Sequence, residues 1–349
     1  MTLVSVVMPC HNGAEFVAEA MESALAQTYQ PLELVVVDDA STDDSWTVIE
    51  EVAARHPGRV TALRMERNRG GCHARNRGAE TARGEFLMFL DADDVLSPPS
   101  VAALVEAVRD RPDGIAACDW MHLEQVDGEW RETPASLPLP EPGADLFRVW
   151  LEGSAWAPTS SVLWRRDVYE RTGGWDEGLA REQDDDIMLR AYSLGARIVR
   201  ADEGCSFYRL QGGLGISVTR GVAIAKLQSS VRVVEMLWRE IQRHGRAGEL
   251  RAMVGNVYHQ LALRGFQQGH TELARECLRR GDEMAGPRIL SPKRVGRALE
   301  RLLGLERKER VVQALARYGV ATPERRQTFQ MRKLFARIEP QAGSPSAPR

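Results

Sequence analysis

No run of apolar residues in this 349-residue chain approaches the length needed to span a bilayer. The stretch from Met1 to Pro9 has no basic residue ahead of its apolar segment and no small-residue cleavage site, so a secretory signal is not expected and a cytosolic location is. Cysteine is scarce: Cys10, Cys72, Cys118, Cys205 and Cys277 are odd in number, scattered and never in C-x-x-C spacing. Neither a disulfide framework nor a zinc site is expected from them. With 43% hydrophobic and 27% charged residues, composition excludes collagen-like, low-complexity and disordered readings for most of the chain. Only residues 339–349, rich in Gly, Ser, Pro and Ala, read as a disordered tail.

The net charge of -3 conceals two different halves. Positions 221 onward hold 25 Lys+Arg against 12 Asp+Glu, a net of +13, and positions 1–220 hold 21 against 37, a net of -16. An acidic first part speaks against nucleic acid as a partner, because phosphate neutralisation needs a basic surface. It suits carboxylates gathered around a divalent cation. The division expected is a catalytic domain over 1–220 and a basic helical region over 221–338.

Strand and helix signals alternate through the first 120 residues. Leu3 to Met8 is a β-branched run ended by Pro9, and Phe16, Val17, Ala20, Met21, Ala24 and Leu25 recur at helical spacing. Strands follow at Glu33 to Val37, Val60 to Met65 and Glu85 to Leu90, with helices over Trp46 to Val52, Ala74 to Ala82 and Ser100 to Val108. This order predicts an α/β fold with a largely parallel sheet flanked by helices, and ligands bound beyond the carboxyl ends of the strands. Positions 121–145 are polar and Pro-rich and read as a surface excursion, followed by a strand at Ser161 to Trp164 and a helix at Asp184 to Leu194. Past 221 the pattern is helical, with Gly265, Gly281 and Gly286 as expected breaks and Tyr258 to Ala285 as an antiparallel pair.

Chemistry concentrates at the strand ends. The apolar strand Phe86 to Leu90 runs into Asp91-Ala92-Asp93-Asp94, where like charges crowd and a hard divalent cation relieves them. A single such Asp would more simply cap a helix. Asp38-Asp39 ends another β run and can accept hydrogen bonds from a base or ribose, or serve an acidic turn. Pro9-Cys10-His11-Asn12-Gly13 is a turn whose amides could approach a ligand, with His11 an ordinary loop histidine. Arg75 in Ala74-Arg75-Asn76-Arg77-Gly78 suits an anion or an Asp partner, whereas Arg77 suits an exposed face.

Taken in order, these pieces resemble the family 2 glycosyltransferases of the GT-A fold over about residues 3 to 215. The resemblance implies a nucleotide-diphosphate sugar as donor. It implies that Pro9 and Asn12 open the nucleotide site, that Asp39 meets the nucleobase and that Arg75 closes that pocket. Asp91 and Asp93 would be the D-x-D pair, touching ribose and a diphosphate-bound Mg²⁺ or Mn²⁺. Thr172-Gly173-Gly174-Trp175-Asp176-Glu177 resembles the family's G-G-F-D-E turn, and Gln183-Asp184-Asp185-Asp186-Ile187-Met188-Leu189-Arg190 its acidic helix. On that match Asp184 is the general base of an inverting transfer, taking the acceptor hydroxyl's proton. Gln183 stands where the family usually has Glu, and Gln211 where it often has His; both are candidate diphosphate or acceptor contacts. Trp156, in a loop before a core strand, either stacks on a sugar or packs in the core.

Two other classes compete at this stage. A sugar nucleotidylyltransferase would want a basic residue in a Gly-rich loop near the first strand, and residues 1–220 contain no lysine at all. A non-catalytic nucleotide- or glycan-binding protein with a decayed site fits the Gln183 and Gln211 departures. The acceptor expected is a glycan, a lipid-linked or a small-molecule hydroxyl. In the basic half, Pro292 to Leu305 sets Val295, Leu299, Leu302 and Leu303 against Lys293, Arg294, Arg297 and Arg301. That pattern suits peripheral contact with an anionic membrane, ordinary packing of a solvated helix, or docking on the acidic half of another copy as a homo-oligomer.

Overall fold

The computed structural model describes residues 2–210, 223–290 and 294–317. Four apolar segments build one half of the sheet: β1 (Val4–Cys10), β2 (Leu32–Asp38), β3 (Val60–Arg64) and β4 (Phe86–Phe89). β1 lies between β2 and β4, with β3 outside β2, all parallel. Parallel neighbours need crossovers, supplied here by α1 (Val17–Leu25), α2 (Ser45–Arg55) and α3 (Gly71–Thr81). The pleat sends Val4, Val6 and Met8 into a core shared with α1, and Val7 into a second core shared with Ala74 of α3.

Beyond β4 the sheet becomes mixed. The elements in order are β5 (Val95–Leu96), α4 (Ser100–Val108), β6 (Gly114–Val126), β7 (Glu129–Pro134), α5 (Leu146–Glu152), β8 (Val162–Arg165), α6 (Arg166–Arg171), α7 (Gln183–Ser193) and β9 (Arg197–Leu210). Strand order is β3-β2-β1-β4-β8-β6-β9-β5, with β7 on β6. β8 runs antiparallel to β4 and to β6, whereas β9 runs parallel to β6 with a register shift between Ala117 and Asp119. The sheet is therefore parallel in its β1 to β4 half and mixed elsewhere. Residues 121–134, expected as a surface excursion, form a hairpin, Met121–Val126 against Glu129–Pro134, turned by Asp127 and Gly128, both at positive φ. Its β7 side chains are mostly exposed, and an antiparallel edge with one wet face has the polar composition of a loop.

The remaining helices are α8 (Ala223–Arg243), α9 (Ala247–Gln268), α10 (Thr271–Ala285), α11 (Arg294–Leu303) and α12 (Leu305–Arg317). α9 and α10 are the expected antiparallel pair. Gly265 and Gly281 do not break them; they lie inside the helices where a Cβ would come 2.8 Å from Ala274 Cβ or collide with the His259 ring. Close approach, not chain reversal, is their role, and of the three expected breaks Gly286, at φ 76, is the one that ends a helix. The core under α7 continues through Val233 and Leu237 of α8 and Val254 of α9. Among the described residues no helix is long and apolar enough to cross a membrane. Of the amphipathic face expected over 292–305, Pro292, Lys293 and the side chains of Arg294, Val295 and Leu299 lie outside the described residues, and Leu302 is 79% exposed.

Candidate active site

A cleft of about 270 Å³ opens beyond the carboxyl ends of β1, β2 and β4. Pro9, Asn12, Asp39, Arg75, Asp91 and Asp93, all expected from sequence, line it. Asp39 is buried and fixed by the loop opposite: its Oδ1 accepts the Arg69 N–H (2.9 Å) and its Oδ2 the Gly70 N–H (2.7 Å). Gly70 holds φ 92, which an L side chain resists, and this lets the loop turn back onto Asp39 before α3 begins. The turn after β1 does not offer its amides to a ligand at three positions. The N–H groups of Asn12, Gly13 and Ala14 are taken by Ser41 Oγ, Ser45 Oγ and Asp43. Asn12, at φ 51, instead accepts the Thr42 N–H at 2.8 Å, and His11 Nδ1 donates to the Asp39 carbonyl at 2.9 Å.

The three carboxylates after β4 have separate fates. Asp91 Oδ1 accepts Arg75 Nη2 at 2.5 Å. Asp93 lines the cleft. Asp94 is 1% exposed and accepts the Ser160 hydroxyl (2.7 Å) and the Arg209 N–H (3.0 Å), with Ser206 donating in turn to Ser160. Burial, compounded by Asp93 and Asp91, pushes the Asp94 carboxyl well above the usual range. It is the interior anchor of the loop and not a helix cap.

Arg75 joins the two halves of the site. While Nη2 holds Asp91, Nη1 donates to Gln183 Oε1 at 3.0 Å, and the guanidinium lies 4.8 Å from the Trp175 ring centroid. Burial works against its charge, but Asp91, with Cys72 and Asp184 nearby, keeps it firmly protonated. Gln183 opens α7, so the helix bearing Asp184 begins beside the Arg75 wall of the cleft. The Gly174 turn is clamped to α3: Asn76 Nδ2 donates to the Trp175 carbonyl (2.9 Å), and Asn76 Oδ1 accepts the Trp175 N–H (2.9 Å). Asp186 is paired with Arg190 at 2.5 Å. Helix α8 holds the approach to α7: Arg232 pairs with Asp176 (2.8 Å), Ser229 Oγ accepts the Ala180 N–H (2.8 Å), and Ser230 donates to Glu182 (2.8 Å), itself at φ 59.

Trp156 is buried in an aromatic cluster with Trp120 (5.1 Å) and Tyr208 (5.7 Å) and does not line the cleft. Gln211 lies outside the described residues. Sequence reasoning counted Asp94 only among the crowded carboxylates, and it missed Tyr208 and Arg209. Tyr208 lines the cleft, and burial first, then Asp94, Asp91, Asp184 and Asp93, raises its phenol so that it stays protonated. A Tyr-Arg pair closing the last strand was the available signal. Burial also pushes the Cys10 and Cys72 thiols to about 12, so neither is a nucleophile at neutral pH.

Asp91 and Asp93 fit a Mg²⁺ or Mn²⁺ shared with a diphosphate, since such ions take one or two carboxylates and complete their shell from phosphate and water. Among the described residues no group of three or more His, Cys, Asp or Glu is placed to hold an ion unaided.

The comparisons agree with this geometry. Residues 5–173 match the family described as Glycosyl transferase family 2. An uncharacterized glycosyltransferase of Nostoc sp. is 33% identical over 213 residues, covering 60% of this chain and 65% of that protein. Succinoglycan biosynthesis protein ExoO of Rhizobium meliloti is 27% identical over 280 residues, covering 77% and 75%. The chain spans about two-thirds or less of the length of the first curated relatives it matches. Among solved structures, TarS 1-349 of S. aureus in complex with UDP-GlcNAc superposes with a TM-score of 0.61 at 18% identity, covering 91% of this chain and 92% of that one, a likeness of fold. The chain adopts the GT-A fold, and its residues 5–173 match glycosyl transferase family 2.

Proposed function

We propose that this protein transfers a sugar from a nucleotide-diphosphate sugar to an acceptor hydroxyl with inversion, assisted by a divalent cation, in the synthesis of a cell-surface polysaccharide or glycoconjugate. The observation that carries the reading is Arg75, whose two nitrogens join Asp91 of the donor cleft to Gln183 at the start of the Asp184 helix. A displacement at an anomeric carbon needs a leaving-group site and a base at such close quarters. The relative that acts in succinoglycan synthesis supports the polysaccharide part.

In this reading Asp39 accepts from the base, and Asn12 and Pro9 shape the pocket beside it. Asp184 takes the acceptor hydroxyl's proton as its oxygen bonds to the anomeric carbon, and the bond from that carbon to the diphosphate breaks with its electron pair leaving on the diphosphate. A cation bound by Asp93 and Asp91 would neutralise charge on that leaving group. Arg75 keeps Asp91 oriented, and the protonated Tyr208 has only a hydroxyl to donate. The test is release of nucleoside diphosphate from a panel of UDP-, GDP- and dTDP-sugars in the presence of glycan and lipid-linked acceptors. Acceptor-dependent release from one donor class supports the proposal; release from none contradicts it.

A further inference from the structure

The guanidinium of Arg209 is the most enclosed cation of the cleft, its side chain 1% exposed. It sits in the corner made by two nearly perpendicular aromatic rings, 4.6 Å from the Phe16 centroid and 4.5 Å from that of Trp130. Phe16 comes from the start of α1 and Trp130 from the β6–β7 hairpin, and the two rings meet edge to face at 5.9 Å. From this corner Nε donates to the Asp93 carbonyl at 2.8 Å and Nη2 donates to Glu19 at 2.6 Å, while the Arg209 backbone N–H holds Asp94 at 3.0 Å. One residue therefore grips two consecutive residues of the carboxylate loop, and its own orientation is set by elements far apart in sequence.

We propose that Arg209 is a positioning residue that fixes the Asp93 carboxylate toward the cleft for a diphosphate-bound cation, and that Trp130 of the hairpin locks it in place. The proposal rests on the reading of the cleft as a nucleotide-diphosphate sugar site. The peptide unit between Asp93 and Asp94 is held from both sides: the Asp94 N–H donates to the Asp91 carbonyl at 3.0 Å, and the charge-assisted bond from Arg209 to the Asp93 carbonyl completes the hold on the backbone from which the Asp93 carboxylate projects. A planar guanidinium packed in the corner of two rings and bonded to both Asp93 and Glu19 holds this bond in place, which a lysine on a flexible stem would not. The polar hairpin thus becomes part of the donor site through Trp130.

The test compares wild type, Arg209→Gln and Trp130→Ala by calorimetric titration with whichever of UDP, GDP and dTDP the wild type binds, in Mn²⁺ and in EDTA, with folding checked by circular dichroism. Groups that orient a metal ligand are worth about 10- to 100-fold in metal affinity. Arg209→Gln should lose at least about tenfold of the Mn²⁺-dependent gain in nucleotide affinity, Trp130→Ala a smaller part, and both should keep the affinity seen in EDTA. If Arg209→Gln does not fold, Trp130→Ala carries the test with the same pattern. A full Mn²⁺ gain in the folded variants, or an equal loss with and without metal, overturns the proposal. A wild type that binds none of the three nucleotides overturns the transferase reading itself, and this inference with it.

Discussion

Arg75 and Asp91 are 2.5 Å apart, and Gln183 holds the other end of the same guanidinium at 3.0 Å. The Asp91 loop and the start of α7 are therefore coupled through one side chain, 7% exposed and stacked over Trp175. Removing it strands Asp91 and frees the start of α7. Arg75→Ala should destabilise the fold by about 1.5–3 kcal/mol, as for a hydrogen bond to a charged group, and should weaken donor binding in the same variant. Denaturant unfolding and nucleotide titration read these separately. Arg75→Lys should rescue stability in part but not donor affinity, because one ammonium cannot span two partners and a ring face; a fully active lysine variant would contradict the bridging role.

Asp184 and Asp186 sit two residues apart but face different surroundings. Asp184→Asn should leave nucleotide affinity within about twofold and reduce transfer by about 10²- to 10⁴-fold, the usual worth of a general base. Asp186 is tied to Arg190, which also donates to the Thr172 carbonyl at 2.5 Å. Asp186→Asn should therefore lower the thermal midpoint more than it lowers kcat. Transfer that survives Asp184→Asn would remove it as the base.

Acid sensitivity has an identifiable source at the opposite end of the sheet. Glu33 accepts from Ser5 Oγ (2.6 Å), the Arg83 N–H (2.6 Å) and the Arg83 guanidinium (2.7 and 2.9 Å). Burial opposes its charge, but these donors outweigh it and hold the carboxyl below its ordinary value. A lowered folded pKa means that the stabilisation is complete above the unfolded value of about 4.3 and fades as pH falls through the folded one. Glu33→Gln should cost about 1.5–3 kcal/mol at pH 7, and the gap from wild type should narrow in acid. Unfolding curves at pH 7 and pH 3 with the same gap would contradict this.

Gly78 sits on the face of α3 that lies on the sheet. A Cβ there would collide with Val7 Cγ1 and come 3.3 Å from Val37 Cγ2. Alanine gains about 1 kcal/mol of helix propensity at an exposed position, but overpacking here should outweigh it and destabilise by about 1–3 kcal/mol. Because α3 carries Arg75, nucleotide affinity should fall with stability in Gly78→Ala. A variant more stable than wild type would show that the helix can shift without consequence.

The first half of the sheet and its cleft were legible because three of its four strands are short apolar runs meeting Pro9, Asp38-Asp39 or Asp91, and each helix repeats at one spacing. Asp39, Arg75, Asp91 and Asp93 could be picked out because they sit within a few residues of those boundaries. The β6–β7 hairpin was not legible: one wet face gives Glu129 to Pro134 a loop's composition. Arg209 was out of reach for a different reason, since its partner Glu19 lies 190 residues away and its ring faces come from α1 and the hairpin. Gly265 and Gly281 were misread as breaks because sequence does not distinguish a glycine that ends a helix from one that lets two helices touch.

The central claim is metal-assisted binding of a nucleotide-diphosphate donor at the ends of β1, β2 and β4. Calorimetric titration of UDP, GDP and dTDP into the protein, in Mn²⁺ and then in EDTA, tests it most directly, with Asp93→Ala as the control. The account predicts binding selective for one base, strengthened by Mn²⁺, with the metal-dependent part gone in Asp93→Ala. No binding of any of the three in either condition, or an unchanged Mn²⁺ effect in Asp93→Ala, would contradict it.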